Sequence, residues 1–190
     1  MTLQTAVGYQ QAFGVPGERA KDTPYRVLPG LLISTADPTT NVVGRAAQVK
    51  AGATGSFPVA GDAGVNPKTM NVSCDKGAAG VFAGLIVEPK AYYSLGTQAG
   101  GSLAPTFTLP DNTVVQLATE GDWVVSLAAA SNPGDVAYYN FNTGVITGAA
   151  PGAAIPANCA GPIGTIEEFV NAAASLAVLH LEPRVPSLLP

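Results

Sequence analysis

Asp122–Leu127 reads DWVVSL and Ser175–Glu182 reads SLAVLHLE. In the first run Trp123, Val125 and Leu127 fall on one side of an extended chain. In the second, Ala177, Leu179 and Leu181 oppose Leu176, Val178 and His180. Successive strand side chains point to opposite faces, so each run buries a full row and presents a mixed second row. Few windows elsewhere hold a helical period, and the chain reads as all-β.

Between these runs lies Asn132–Ala150, NPGDVAYYNFNTGVITGAA. Pro133 has a fixed φ and Gly134 can take a positive one, and Asn142-Thr143-Gly144 repeats that turn chemistry. Val136–Tyr139 is expected to return through Val145–Thr147, with Val136, Tyr138 and Val145 inside and Asn140, Phe141, Asn142 and Thr143 forming an uncharged tip. Other short apolar runs bounded by Gly, Pro, Asn or Asp are Gly30–Ser34, Asn41–Val49, Met70–Ser73, Val81–Glu88, Thr106–Leu109, Thr113–Thr119 and Ile163–Val170. Their spacing suits a small β-barrel or a β-sandwich. GVFAGLIVEPK is apolar on both faces from Val81 to Val87, as in a strand covered on both sides, and stops at Glu88-Pro89 because proline cannot donate to a ladder.

A chain of 190 residues fits one domain. Residues 1–30 read as an extended N-terminal arm, 31–182 as the β-rich body with 105–182 its most barrel-like part, and 183–190 as an extended, Pro-rich C-terminal tail. Leu3, Val7, Tyr9 and Phe13 at one end and Leu188 and Leu189 at the other would expose apolar groups in isolation. They are expected to lie against this subunit or a neighbour and, with Phe141, are the candidate contact residues.

Only 12% of the residues are charged, while 22 are glycine and 16 proline, so much of the surface is uncharged and resists association weakly. The net charge of −4 with scattered basic residues argues against a nucleic-acid partner, which needs a Lys/Arg footprint. The N-terminus lacks the basic start and apolar run of a signal peptide, and no stretch has the length of a membrane span, which implies synthesis and assembly in the cytoplasm. Asn71-Val72-Ser73 is then a chance match to a glycosylation sequon. Cys74 and Cys159 form no CxxC unit and read as buried free thiols; they can pair only if folding brings them together.

No phosphate loop, dinucleotide fingerprint, HExxH or EF-hand loop occurs, and no cofactor or metal is expected. His180, the sole histidine, sits in an alternating strand and reads as a hydrogen-bonded strand residue rather than a catalytic base. Glu167 and Glu168 are adjacent in a strand and expected to point apart as surface charges, and Asp122 reads as a turn residue before Trp123. Trp123, Tyr138 and Tyr139 suit interior packing, with a sugar-stacking platform as the functional alternative. No catalytic residue is assigned, and the protein is not expected to be an enzyme.

The ordered series MTLQTAVGYQQAFGVPGERA (1–20), NVVGRA (41–46), GVFAGLIVEPKAY (80–92), GSLAPTFTLPDNTVVQL (101–117), EGDWVVSL (120–127) and NPGDVAYYNFNTGVIT (132–147) resembles the structural cement, or capsid decoration, proteins of tailed bacteriophages. It covers nearly the whole chain; Gly52–Val65 and the tail fit it poorly. The resemblance implies a β-rich virion protein bound to the outside of the assembled shell of major capsid protein, joining neighbouring capsomers. Homo-oligomers are commonly closed and cyclic, so a dimer or a trimer is expected, of which the trimer is favoured. The alternatives are a carbohydrate-binding or adhesive β module using Trp123, Tyr138, Tyr139 or Phe141, and a hydrolase using His180.

Overall fold

The computed structural model describes residues 14–33, 37–55, 69–75, 77–88, 108–111, 113–168 and 176–182. Among these, nine strands occur: β1 (Arg26–Ile33), β2 (Ala46–Gly55), β3 (Thr69–Ser73), β4 (Phe82–Ile86), β5 (Val114–Ser126), β6 (Val136–Asn140), β7 (Ile146–Ala149), β8 (Cys159–Glu168) and β9 (Leu176–Leu181). They form one curled sheet in the order β1-β3-β2-β4-β5-β9-β8-β6-β7. Every strand pairing is antiparallel except β1 with β3.

The sheet curls back on itself twice. β1 also pairs with β5, closing a ring through β1, β3, β2, β4 and the first half of β5. The second half of β5 pairs with β9, and a bridge from Leu127 to Ile146 returns it to β7. Closure satisfies edge groups that an open sheet would present to other chains.

Two apolar clusters fill these curls. Ile33, Val72, Ala47, Ile86, Val115 and Leu117 bring β1 to β5 together in the first. In the second, Trp123, Val125 and Leu127 meet Ala137, Tyr139, Ile146, Ile163, Ile166, Ala177, Leu179 and Leu181. Val115 and Leu117 of β5 thus face the first core and Ala118, Trp123 and Val125 the second, so the parity of the strand changes between Ala118 and Trp123, across Gly121. Ala46, Phe82, Leu85 and Val87 extend the second cluster across the outer side of β2 and β4, so β4 is covered on both faces.

The sequence reading separates Thr113–Thr119 from Trp123–Leu127, but β5 runs through both. Gly121 takes φ +105°, and a Cβ there would stand 2.8 Å from Cβ of Tyr25. A glycine that reads as a turn is instead the point where a long strand changes partners. Strand β2 starts only at Ala46, because Pro38–Thr40 forms a 3-10 turn capped by the Asp37 carboxylate. Thr108 makes a single bridge to Val42 in place of the expected strand end.

The hairpin of β6 and β7 forms as read, with opposite parity. Ala137 and Tyr139 enter the core, whereas Val136 and Val145 are half-buried and Tyr138 lies on the other face. Both rows are apolar, so pairing decides: Tyr139 sits opposite the buried Ile146, and its hydroxyl donates to the Gly80 carbonyl at 3.0 Å.

Candidate functional site

Residues 14–25 lie along β5 on the side opposite β9. The Gly17 N–H donates to Val124 O at 2.8 Å, the Val124 N–H to Glu18 O at 2.9 Å and the Ala20 N–H to Asp122 O at 2.9 Å. The Glu88 N–H donates to Gly17 O at 3.0 Å, which ties the same segment to the end of β4. This short ladder buries Val124, the residue between the core positions Trp123 and Val125. Arg19 stacks 4.7 Å over the Tyr25 ring, which meets Trp123 edge-on at 6.2 Å.

A polar cluster fastens the segment to β5, β8 and β9. Asp122 and His180 are direct partners across the β5–β9 ladder, with His180 Nδ1 2.6 Å from Asp122 Oδ1. The Thr23 hydroxyl donates to Asp122 Oδ2 at 2.7 Å. Lys21 Nζ reaches Glu167 Oε2 at 2.7 Å and Glu168 Oε1 at 2.8 Å. Glu167 Oε1 stands 4.0 Å from His180 Nδ1.

Two expectations are corrected here. Asp122 is a buried strand residue rather than a turn residue, because β5 does not break at Gly121. Glu167 and Glu168 converge on one lysine rather than pointing apart, because Ile166 pairs with Leu179 and Glu168 with Val178, leaving Glu167 as the extra residue of a bulge.

Burial would raise the Asp122 carboxyl, but hydrogen bonds from His180 and Thr23, with the charges of His180 and Lys21, hold it below the ordinary carboxylate range. The ionised carboxylate therefore accepts, and His180 carries its proton on Nδ1. Hydrogen bonds to Glu167 and Glu168 hold the Lys21 ammonium well above the usual lysine range. The Thr23 hydroxyl is engaged by Asp122 on the oxygen that His180 does not use, so the trio does not have the order of a hydrolytic triad.

The aromatic residues proposed for a sugar platform do not form one. Trp123 is 2% exposed with Nε1 donating to Glu120 O at 3.1 Å, Tyr139 is 1% exposed and Tyr138 9%. Phe141 is half-buried against the second core, and its carbonyl accepts from the Gly77 N–H at 3.1 Å. The hairpin tip thus meets the first ring of its own chain. Leu3, Val7, Tyr9, Phe13, Leu188 and Leu189 lie outside the described residues.

Uncharged surface is found elsewhere. Ala128–Ala130 and Asn132–Gly134 are exposed, as are Ala150–Ile155, Ala157 and Asn158, with Ile155 at 55%. The pairing of Val136 with Ala149 starts both loops from the same end of the second ring. Asp135, the acid that follows Gly134 in sequence, is buried and accepts from the Asn132 N–H at 2.7 Å. Composition pointed to such surface in general; its position needed the topology.

The family model described as Structural cement protein (E217 gp24/Pam3 gp6) matches residues 3–181. The chain belongs to the phage structural cement protein family. It is a capsid component of the virion, and its family is structural rather than enzymatic. The cement protein also matches a chain of a solved structure, "The capsid of Myoviridae Phage XM1", with a TM-score of 0.55 over 95% of this chain and 97% of that one. Identity there is 16%, so this likeness speaks for the fold. No curated protein sequence matches it.

Both curls of this cement protein are filled by side chains. The polar cluster serves to hold residues 14–25 against the second ring, a positional role that residue types alone did not disclose.

Proposed function

We propose that this cement protein binds the outer surface of the assembled major capsid protein shell, across capsomer boundaries, as a homo-oligomer with a trimer favoured over a dimer. The supporting observation is the largely exposed stretch Ala150–Asn158, which carries no charge, presents Ile155 to solvent and starts from the same end of the second ring as the equally uncharged Asn132–Gly134 loop. Uncharged, irregular surface can be desolvated against a shell without stranding an ion. Binding across a boundary stabilises the shell because separating its subunits must also break the cement contacts. An oligomer multiplies modest contacts through effective concentration. Residues 1–13 and 183–190 are proposed to supply further contacts to the shell or a sister subunit.

Purified protein is added to undecorated capsids, and occupancy and the temperature of shell rupture are measured. Binding with a raised rupture temperature is expected, and Ile155→Asp should weaken both while leaving the fold intact. A chain lacking residues 1–13 should also bind more weakly. Failure to bind or to raise the rupture temperature overturns the reading, and a monomer at all concentrations by light scattering overturns the oligomeric part.

A further inference from the structure

We infer that Asp122, Glu167 and His180 form a site for one transition-metal dication of the zinc class. Their donor atoms come from β5, β8 and β9, three adjacent strands, and lie within 4.8 Å of one another. The ladder brings Asp122 and His180 together, and the bulge at Glu167 turns a third donor toward them.

The arrangement resembles a ligand set with its outer shell already in place. Each carboxylate has one oxygen engaged by the N-terminal segment: Asp122 Oδ2 by Thr23 and Glu167 Oε2 by Lys21. The other oxygens, Asp122 Oδ1 and Glu167 Oε1, face His180 Nδ1 at 2.6 and 4.0 Å. Hydrogen bonds of this kind orient metal-binding carboxylates. One imidazole and two carboxylates suit zinc or cobalt, which sit about 2.0–2.2 Å from such donors.

An ion at that distance needs the His180–Asp122 contact to widen and the largest donor separation to narrow. The His180 and Glu167 side chains, 37% and 35% exposed, have room to make that change and leave the site open to water as a further ligand. The ion takes the place of the proton on His180 Nδ1. Lys21 works against binding by its charge, while its bond to Glu167 Oε2 aims Oε1. An occupied site cross-links three strands and, through Thr23 and Lys21, secures residues 14–25.

The test is calorimetric titration with Zn²⁺, and cobalt absorption spectra, on the full chain with Cys159→Ser to remove the half-exposed thiol. One ion per chain and a raised melting temperature are expected. Glu167→Gln should bind more weakly by on the order of tenfold or more. His180→Ala should abolish binding, with Trp123 emission confirming that the fold persists; Glu167→Gln, at a surface position, covers the case in which it does not. Absence of saturable binding, or affinity unchanged by Glu167→Gln, overturns the proposal.

Discussion

The Ala46 N–H donates to the Gly144 carbonyl at 2.8 Å, and this bond joins the tip of the β6–β7 hairpin to the start of β2. Arg45 adds a guanidinium contact to the Thr143 carbonyl at 3.2 Å. The hairpin tip is thereby an internal joint between the two curled halves of the sheet. Gly144 takes φ +70°, and a Cβ there would stand 2.5 Å from the Ala46 carbonyl oxygen.

Gly144→Ala should therefore destabilise the protein by about 2–4 kcal/mol, from left-handed backbone cost plus a clash with backbone that cannot rotate away. Gly134, at φ +89° with open space around its Cβ position, provides the control. Gly134→Ala should cost about 1 kcal/mol. Urea unfolding of both variants measures the difference, and equal costs would mean that the joint yields.

Trp123 emission should be blue-shifted, resistant to iodide and unaltered by added sugars, since the ring is buried and its Nε1–H bonds the Glu120 carbonyl. Tyr139→Phe should cost about 1 kcal/mol by leaving the half-buried Gly80 carbonyl without that donor. Tyr139→Ala should cost about 3–5 kcal/mol, as for other large aromatic truncations in a packed core. Sugar-dependent quenching of Trp123 would contradict its placement.

The Asp122 carboxyl lies below its ordinary value in the folded protein, so its contribution is present above the unfolded value and is lost as pH falls through the folded one. With chelator present, Asp122→Asn should lower stability at neutral pH by about 1–2 kcal/mol. That gap should begin to narrow below about pH 4, the ordinary aspartate value, and close only at lower pH, once the folded wild-type carboxylate has taken up its proton. A gap independent of pH would show that packing rather than charge accounts for it.

The two cysteines are free and should differ in reactivity. Burial pushes the Cys74 thiol up to about 12, and burial also raises the half-exposed Cys159 by a smaller amount. A thiol reagent at pH 8 should modify Cys159 slowly and Cys74 only at the rate of unfolding, since the thiolate is the reactive form. Peptide mapping after timed quenching separates them; prompt labelling of Cys74 would place it nearer solvent.

Local patterning carried much of this fold. Trp123, Val125 and Leu127, like Ala177, Leu179 and Leu181, alternate over a few residues, and alternation follows from backbone geometry before any partner is chosen. Asn132-Pro133-Gly134 likewise names its own turn. The ordered series along the chain pointed to the cement family without any catalytic motif. Pairing was not encoded so locally: β5 continues through Gly121 because β1 and β4 hold its first half while β9 and residues 17–20 hold its second. Which tyrosine faces inward, and that Asp122, Glu167 and His180 meet, depend on register. A one-residue shift exchanges the faces of a strand, and a bulge inserts such a shift at Glu167, so contacts between distant residues arise only when the whole sheet pairs.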